Sequence, residues 1–325
     1  MTKSINTFLE TLLFLLLFAL AVTLSVGHNF NSAVIDGINL WIACVLPALF
    51  PYFIITAILS SLSVTGKISK KLTPFTRKIF GVGGSVGYAL FISVISGYPV
   101  GAKTVADLKD GGLISDTESV RAAALCSTSS PVFLISSVGG IMFNSAIFGV
   151  ALFITHLLSA LLVGIIFSFY KRKDRPSQTD FPISTNKLDN ILYQSVYSSV
   201  ISVLVVGGLI TAFYLLTEVL LYYGFLTPLI TLLTTITGSE NIGAGITLGI
   251  FECTKGLKAL SVGGITALSL PIAASVCGFG GLSVIAQSIA YLKKAKIKTA
   301  PFLFAKVLSA VLNFIVGLII SLLIL

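Results

Sequence analysis

Five stretches of this sequence, Phe8 to Val26, Val34 to Leu62, Ala146 to Tyr170, Ile191 to Tyr223 and Ala300 to Leu325, are strongly apolar and carry at most one charged residue each. A spanning α-helix needs about 20 consecutive apolar residues, so these stretches fix the solvent: most of the chain's surface faces lipid. The composition agrees, with 10% charged residues against roughly 25% in soluble domains. In 325 residues there is room for roughly eight to ten spanning or re-entrant helices and for no sizeable soluble domain. The expected fold is therefore an all-α polytopic membrane protein, a single transmembrane domain over residues 1–325. The stretch Phe8 to Val26 follows a short basic start and reads as a first transmembrane helix rather than a signal peptide. Pro47 and Pro51 predict a kink in the next span, because each removes a backbone donor at membrane depth.

The net charge of +9 does not point to nucleic acid, since no basic run is interleaved with aromatic residues. Most of the 21 lysines and arginines fall in three clusters, Lys67 to Lys78, Lys171 to Lys187 and Lys293 to Lys298, with Lys3 at the start. The segments His28 to Asp36 and Gly224 to Asn241 contain none. By the positive-inside rule the N-terminus and the three clusters are expected in the cytoplasm and the C-terminus outside, in a multi-pass protein of the plasma membrane. The four cysteines, Cys44, Cys126, Cys253 and Cys277, form no C-x-x-C pair and read as reduced, buried small residues. With His28 and His156 the only histidines, a His-rich metal site is excluded and no metal or cofactor is expected.

Two regions have a different texture. Residues 80–143 and 238–290 are rich in Gly, Ser, Thr and Pro, and each reads as a re-entrant hairpin followed by a broken span. Laid over itself with Gly97 on Gly249, the chain also puts Lys103 on Lys255, Leu108 on Leu260 and Gly111-Gly112 on Gly263-Gly264. Lysine is rare in apolar sequence, so its coincidence weighs more than the glycines. The first region must start inside and end outside, the second the reverse. Two similar segments of opposite direction define an inverted repeat, the plan of many secondary transporters, in which discontinuous helices meet at the substrate site near the midplane. The expected organisation is N-terminal helices over 1–63, a first half over 64–170, a cytoplasmic basic loop over 171–187 and a second half over 188–325. The discontinuities are Ser96 to Gly101, Cys126 to Pro131, Gly249 to Thr254 and Cys277 to Gly281.

These residues resemble a known family. The run SGYPVGAK at Ser96 to Lys103, SSPVF at Ser129 to Phe133, FE-x-x-KG at Phe251 to Gly256, FGGLSV-x-x-Q at Phe279 to Gln287 and the W-x-x-x-x-x-P-x-L-F-P-Y run at Trp41 to Tyr52 are similar to the sporulation integral membrane proteins of the Gate-domain, or nucleoside-recognition, group. The resemblance spans about Trp41 to Ala310. It implies a fold similar to concentrative nucleoside transporters and, for the sporulation branch, movement of a small aromatic dicarboxylate, dipicolinate, between compartments.

The candidate substrate-binding residues are Gly97, Tyr98, Pro99, Lys103, Ser127, Ser129, Ser130, Glu252, Lys255, Gly278, Gly280, Gly281, Ser283 and Gln287. A cation inside a membrane costs at least about 2.5–3.5 kcal/mol, so Lys103 and Lys255 each need a partner or a purpose. One reading pairs them around an anion beside half-helix N-termini; the other pairs Lys103 with Asp107 at i+4 and Lys255 with Glu252 at i−3. Glu252 reads either as a proton-coupling carboxylate or as that salt-bridge partner; the coupling ion, H+ or Na+, stays open. The serines offer hydroxyls where a helix breaks, while the glycines serve binding or close helix packing. Gln287 is placed to read a polar substrate edge.

Gly83 to Gly87 satisfies G-x-S-x-G, but a nucleophile elbow needs a strand-turn-helix context that a helical membrane protein lacks, so no enzyme is expected. His156 reads as a packing residue, Lys306 and Asn313 as hydrogen-bonded helix contacts, and Asp107 to Arg121 as an amphipathic stretch at the membrane surface. The expected partners are the lipid bilayer and a small, anionic or polar aromatic solute, with homo-oligomers possible. The rival expectation is a scaffold or regulatory subunit that transports nothing.

Overall fold

The computed structural model describes residues 30–324 apart from 63 and 175–187, together with Phe18, Ala21 and Val22. Nearly all of the expected span Phe8 to Val26, and the loop cations Arg175 and Lys187, lie outside the described residues. Among the described residues the chain is helical throughout and has no strand, as the apolar pattern demands.

The first element, α1, runs from Asn31 to Ser61. Its turn Trp41–Val45 is π-helical and lies just ahead of Pro47, where a wider turn absorbs the donor that proline lacks. Then follow α2 (Val64–Phe80), α3 (Gly84–Ser96), α4 (Val100–Asp110), α5 (Asp116–Leu125), the π-helical α6 (Phe133–Met142) and α7 (Ala146–Phe167). The second series is α8 (Leu188–Tyr222), α9 (Thr227–Thr237), α10 (Glu240–Phe251), α11 (Cys253–Ser261), α12 (Ser269–Phe279), α13 (Gly281–Lys294) and α14 (Thr299–Ile324). Four of the helices are long and apolar enough to cross a membrane alone, α12 with α13 passes the same test as one stretch, and α2 meets α3 at 91°.

The packing repeats with the halves exchanged. Helix α4 packs on α13 and α11 on α6; α5 packs on α14 and α12 on α7; α1 meets α3 and α6, as α8 meets α10 and α13. The pairs α1 with α8 and α7 with α14 pack on each other across the middle. This is the pattern that a two-fold relation between the two series produces.

One stretch differs from its sequence reading. The segment Asp107 to Arg121 is not a surface amphipath throughout, because α5 is buried from Thr117 to Leu125. Glu118 is 1% exposed and accepts hydrogen bonds from the backbone N–H of Gly83 (2.9 Å) and Ser115 (3.2 Å), closing a capping box with Ser115. Arg121, 3% exposed, donates to the carbonyls of Tyr170 and Lys171 beyond the end of α7, where a cation complements the helix dipole. Two charges that looked like a solvated face are the internal caps of three helix ends.

Candidate functional site

Each discontinuity marked by the sequence coincides with a helix end, and within each series two of them interlock. Gly97 has φ +76°, and a Cβ there would lie 2.6 Å from the Ser130 nitrogen. Gly281 has φ +74°, and a Cβ there would lie 2.9 Å from the Cys253 nitrogen. Only glycine combines that backbone conformation with so close an approach. The break after α3 therefore touches the one before α6, and the break before α11 touches the one before α13.

Between these breaks lies a cavity of about 50 Å³, lined by Tyr98, Ser129, Ser130, Glu252, Thr254, Gly280 and Gln287, with Val45, Leu49, Val206 and Ile210 closing the α1–α8 side. At the ~10–15 Å³ that one water needs, it has room for a few waters and for no larger solute. Six of the fourteen sequence candidates meet in it. Ser130 caps α6, accepting from the Phe133 N–H at 3.2 Å. Glu252 caps α11, accepting from the Lys255 N–H at 2.6 Å. Gln287 donates to Ser283 at 3.4 Å. Gly278 instead admits α14, since a Cβ there would meet Asn313 at 2.5 Å.

Three residues that the sequence reads as packing or helix contacts, and not as site residues, stand behind this cavity. Lys306, 1% exposed on α14, donates to the Tyr98 hydroxyl (2.8 Å) and to Ser127 Oγ (3.3 Å), and lies 4.2 Å from the centroid of the Tyr98 ring. Tyr98 Oη in turn donates to the Ser127 carbonyl at 3.0 Å. His156 accepts from the Ser129 N–H at 2.9 Å, and its other ring nitrogen lies 3.2 Å from Asn313 Oδ1. His156 and Asn313 are thus hydrogen-bonded packing residues that also hold the broken strand of chain at Ser129. Among the described residues Lys306 has no carboxylate within salt-bridge distance. A lone lysine in an apolar span was the available signal; its partners lie 208 and 179 positions away.

Lys103 and Lys255 do not come together. Lys103 lines a second cavity of about 400 Å³ with Phe53, Thr56, Ala57, Ser60, Tyr88, Thr104 and the serines 195, 198, 199 and 202. It pairs with Asp107 at 3.1 Å, both side chains being partly exposed, as the local reading expects. Lys255 is 7% exposed and pairs not with the Glu252 carboxylate but with Glu218 on α8, at 2.8 Å. It also donates to Thr217 and stands 4.0 Å from the Tyr214 ring centroid.

The three places lie in order along the seam between α1 and α8. At one end are Thr56 and Ser60 facing Ser195 to Ser202, in the cavity with Lys103; in the middle are Val45, Leu49, Val206 and Ile210. Towards the other end Trp41 presses on Gly207, and Gly37 on Thr211 and Tyr214, before the Lys255–Glu218 pair. Beyond that pair Glu218 also lines an outer cavity of about 330 Å³ with Phe30, Ser32 and Ala33.

Comparison with known proteins adds three findings. The Gate family, described as nucleoside recognition, matches residues 43–170. The chain is 31% identical to the sporulation integral membrane protein YlbJ of Bacillus subtilis (strain 168), over 95% of this chain and 81% of that protein. No solved structure matches.

Proposed function

We propose, from the premise that this chain belongs to the family of the sporulation integral membrane protein YlbJ, that it is a carrier which holds one small, anionic or polar aromatic solute between its four interrupted helices. Dipicolinate-like and nucleoside-like solutes are the two chemistries to try first. A membrane protein of transporter type is what the family and the Gate match support; the solute and the path are our reading.

One observation carries it. Helix breaks from both series line one cavity, into which Tyr98, Ser129, Ser130, Glu252, Thr254 and Gln287 bring polar groups beside Gly280 at the N-terminal end of α13, and Lys306 stands behind Tyr98, donating to its hydroxyl. Helix N-termini and a buried ammonium attract carboxylate or phosphate oxygens, while a carboxylate and Gln287 accept or donate to the far edge. At about 50 Å³ the site is too small for a solute, which needs a pocket of roughly 300 Å³ or more, so binding requires the two series to move apart along the α1–α8 seam.

In this reading the two series thread the bilayer in opposite senses, with the basic clusters and the Lys103 cavity in the cytoplasm and the C-terminus outside. The small centre is also what a scaffold that transports nothing would have, so transport itself is the test. Protein reconstituted into liposomes should take up dipicolinate or a nucleoside faster than empty liposomes, with uptake abolished in Lys306→Gln. If no member of either class is taken up or bound, the carrier reading falls and the scaffold remains.

A further inference from the structure

We infer that Lys255 and Glu218 form the latch that shuts one end of the solute path, and that the other end stands open because its equivalent position lacks a carboxylate. The inference rests on the carrier reading and names the device that sets its resting state.

The two-fold packing supplies the comparison. Aligning Thr56 of α1 with Thr217 of α8 also brings Val45 onto Val206, Phe53 onto Tyr214, and Ala57 onto Glu218. The correspondence is structural as well as sequential: Val45 and Val206 line the central cavity together, Thr217 accepts from Lys255, and Thr56 lines one cavity with Lys103. Lys255 donates to Thr217, lies over Tyr214 and pairs with Glu218. Lys103 shares its cavity with Phe53, Thr56 and Ala57, the three matching positions, and takes its carboxylate from Asp107 on its own helix instead.

The same residue pattern is thus drawn closed at one end and left open at the other. An ion pair between α11 and α8 ties the broken helices of the second series to the long helix they must slide past. The pair i,i+4 between Lys103 and Asp107 ties α4 only to itself. A two-state carrier needs unequal contacts in its two states, and Glu218 opposite Ala57 is where this chain differs between its ends. In the exchanged state Lys255 leaves Glu218, and Lys103 closes on α1 at Thr56.

The inference yields a test that adds and removes latches. In a background with the four native cysteines replaced, single cysteines at Ile210 and Ser199 report access to the central seam from the two sides, by labelling of reconstituted full-length protein with a membrane-impermeant thiol reagent. Glu218→Ala is expected to raise labelling at Ile210 from the Lys255 side about tenfold, within the range typical of coupling between sites. Ala57→Glu is expected to slow labelling at Ser199 from the Lys103 side by a similar factor. The exchange Lys255→Glu with Glu218→Lys should return Ile210 to its slow rate, which separates a latch from a general loss of fold. Unchanged rates in both Glu218→Ala and Ala57→Glu, or a charge exchange that leaves Ile210 as open as Glu218→Ala, would overturn the latch. Absence of solute uptake by the parent protein would instead overturn the carrier reading, whatever the labelling shows.

Discussion

Replacing Lys306 by methionine separates its part in stability from its part in solute binding. The side chain is 1% exposed and has two hydroxyl partners, at 2.8 and 3.3 Å, but among the described residues no carboxylate. Replacing buried ionic groups by apolar side chains of similar volume is often neutral or stabilising by about 1–4 kcal/mol. Against this stand the two lost hydrogen bonds, roughly 1.5–3 kcal/mol each because the donor is charged. The loss is softened because Tyr98 Oη keeps its own acceptor, the Ser127 carbonyl at 3.0 Å. The expected balance is a loss of about 2 kcal/mol, or roughly 4 °C in the unfolding midpoint for a domain of this size class. The four buried free cysteines provide the assay, since a thiol-reactive fluorophore reports their exposure as detergent-solubilised protein is heated. Binding of an anionic solute should weaken in the same variant by roughly tenfold to a hundredfold, the worth of about 1.5–3 kcal/mol for a hydrogen bond to a charged group. A midpoint lowered by several degrees, together with unchanged solute affinity, would show Lys306 to be a structural cation and refute the argument.

Glu118→Ala strips a carboxylate from two buried backbone donors and should cost roughly 2–4 kcal/mol, the sum of a lost cap and an unsatisfied donor; an unchanged midpoint in the same thermal assay would contradict the internal-cap role. Gly281→Ala forces a φ of +74° on an L-residue and a 2.9 Å approach to Cys253, so uptake should fall more than protein yield, a comparison that reconstitution and quantitative blotting supply; equal falls would mean a merely unstable protein. Asp116 is held below the usual carboxylate range by its hydrogen bond to Lys109, so its contribution is present above the unfolded value of about 4 and fades as pH falls through the lower folded one. Asp116→Asn should therefore lower the midpoint slightly at pH 7, where that contribution is present, and leave it unchanged at the acid end, so that the acid limb of a midpoint-against-pH curve flattens. A periplasm-active reporter fused after residue 324 should be active and one fused at residue 173 inactive; the reverse would invert the assigned orientation.

Much of the fold was legible because its causes are local. Apolar runs longer than a bilayer, and Gly, Pro and Ser clusters that interrupt them, fix where helices form and end, and all four discontinuities fall at helix ends. The repeat showed itself through Lys103 and Lys255, since a cation in apolar sequence is costly enough to be noticed. What stayed hidden depended on which distant side chains meet. The pairing of α1 with α8 leaves little trace in either apolar run beyond Thr56 and Thr217. The burial of Glu118 and Arg121 was misread because a short charged helix looks the same whether water or helix ends satisfy it.

The sequence by itself determined that this chain lives in lipid, that its helices are broken at four places, and that it carries the marks of its family, because hydrophobicity and backbone restriction act within a few residues. Only the tertiary structure decided that Lys306 meets Tyr98 and Ser127 while Lys103 and Lys255 stay apart, and that Lys255 pairs across to Glu218 on α8 whereas Lys103 pairs with Asp107 on its own helix. Buried charges take the partners that packing brings within reach, and a linear order of residues does not say which those are.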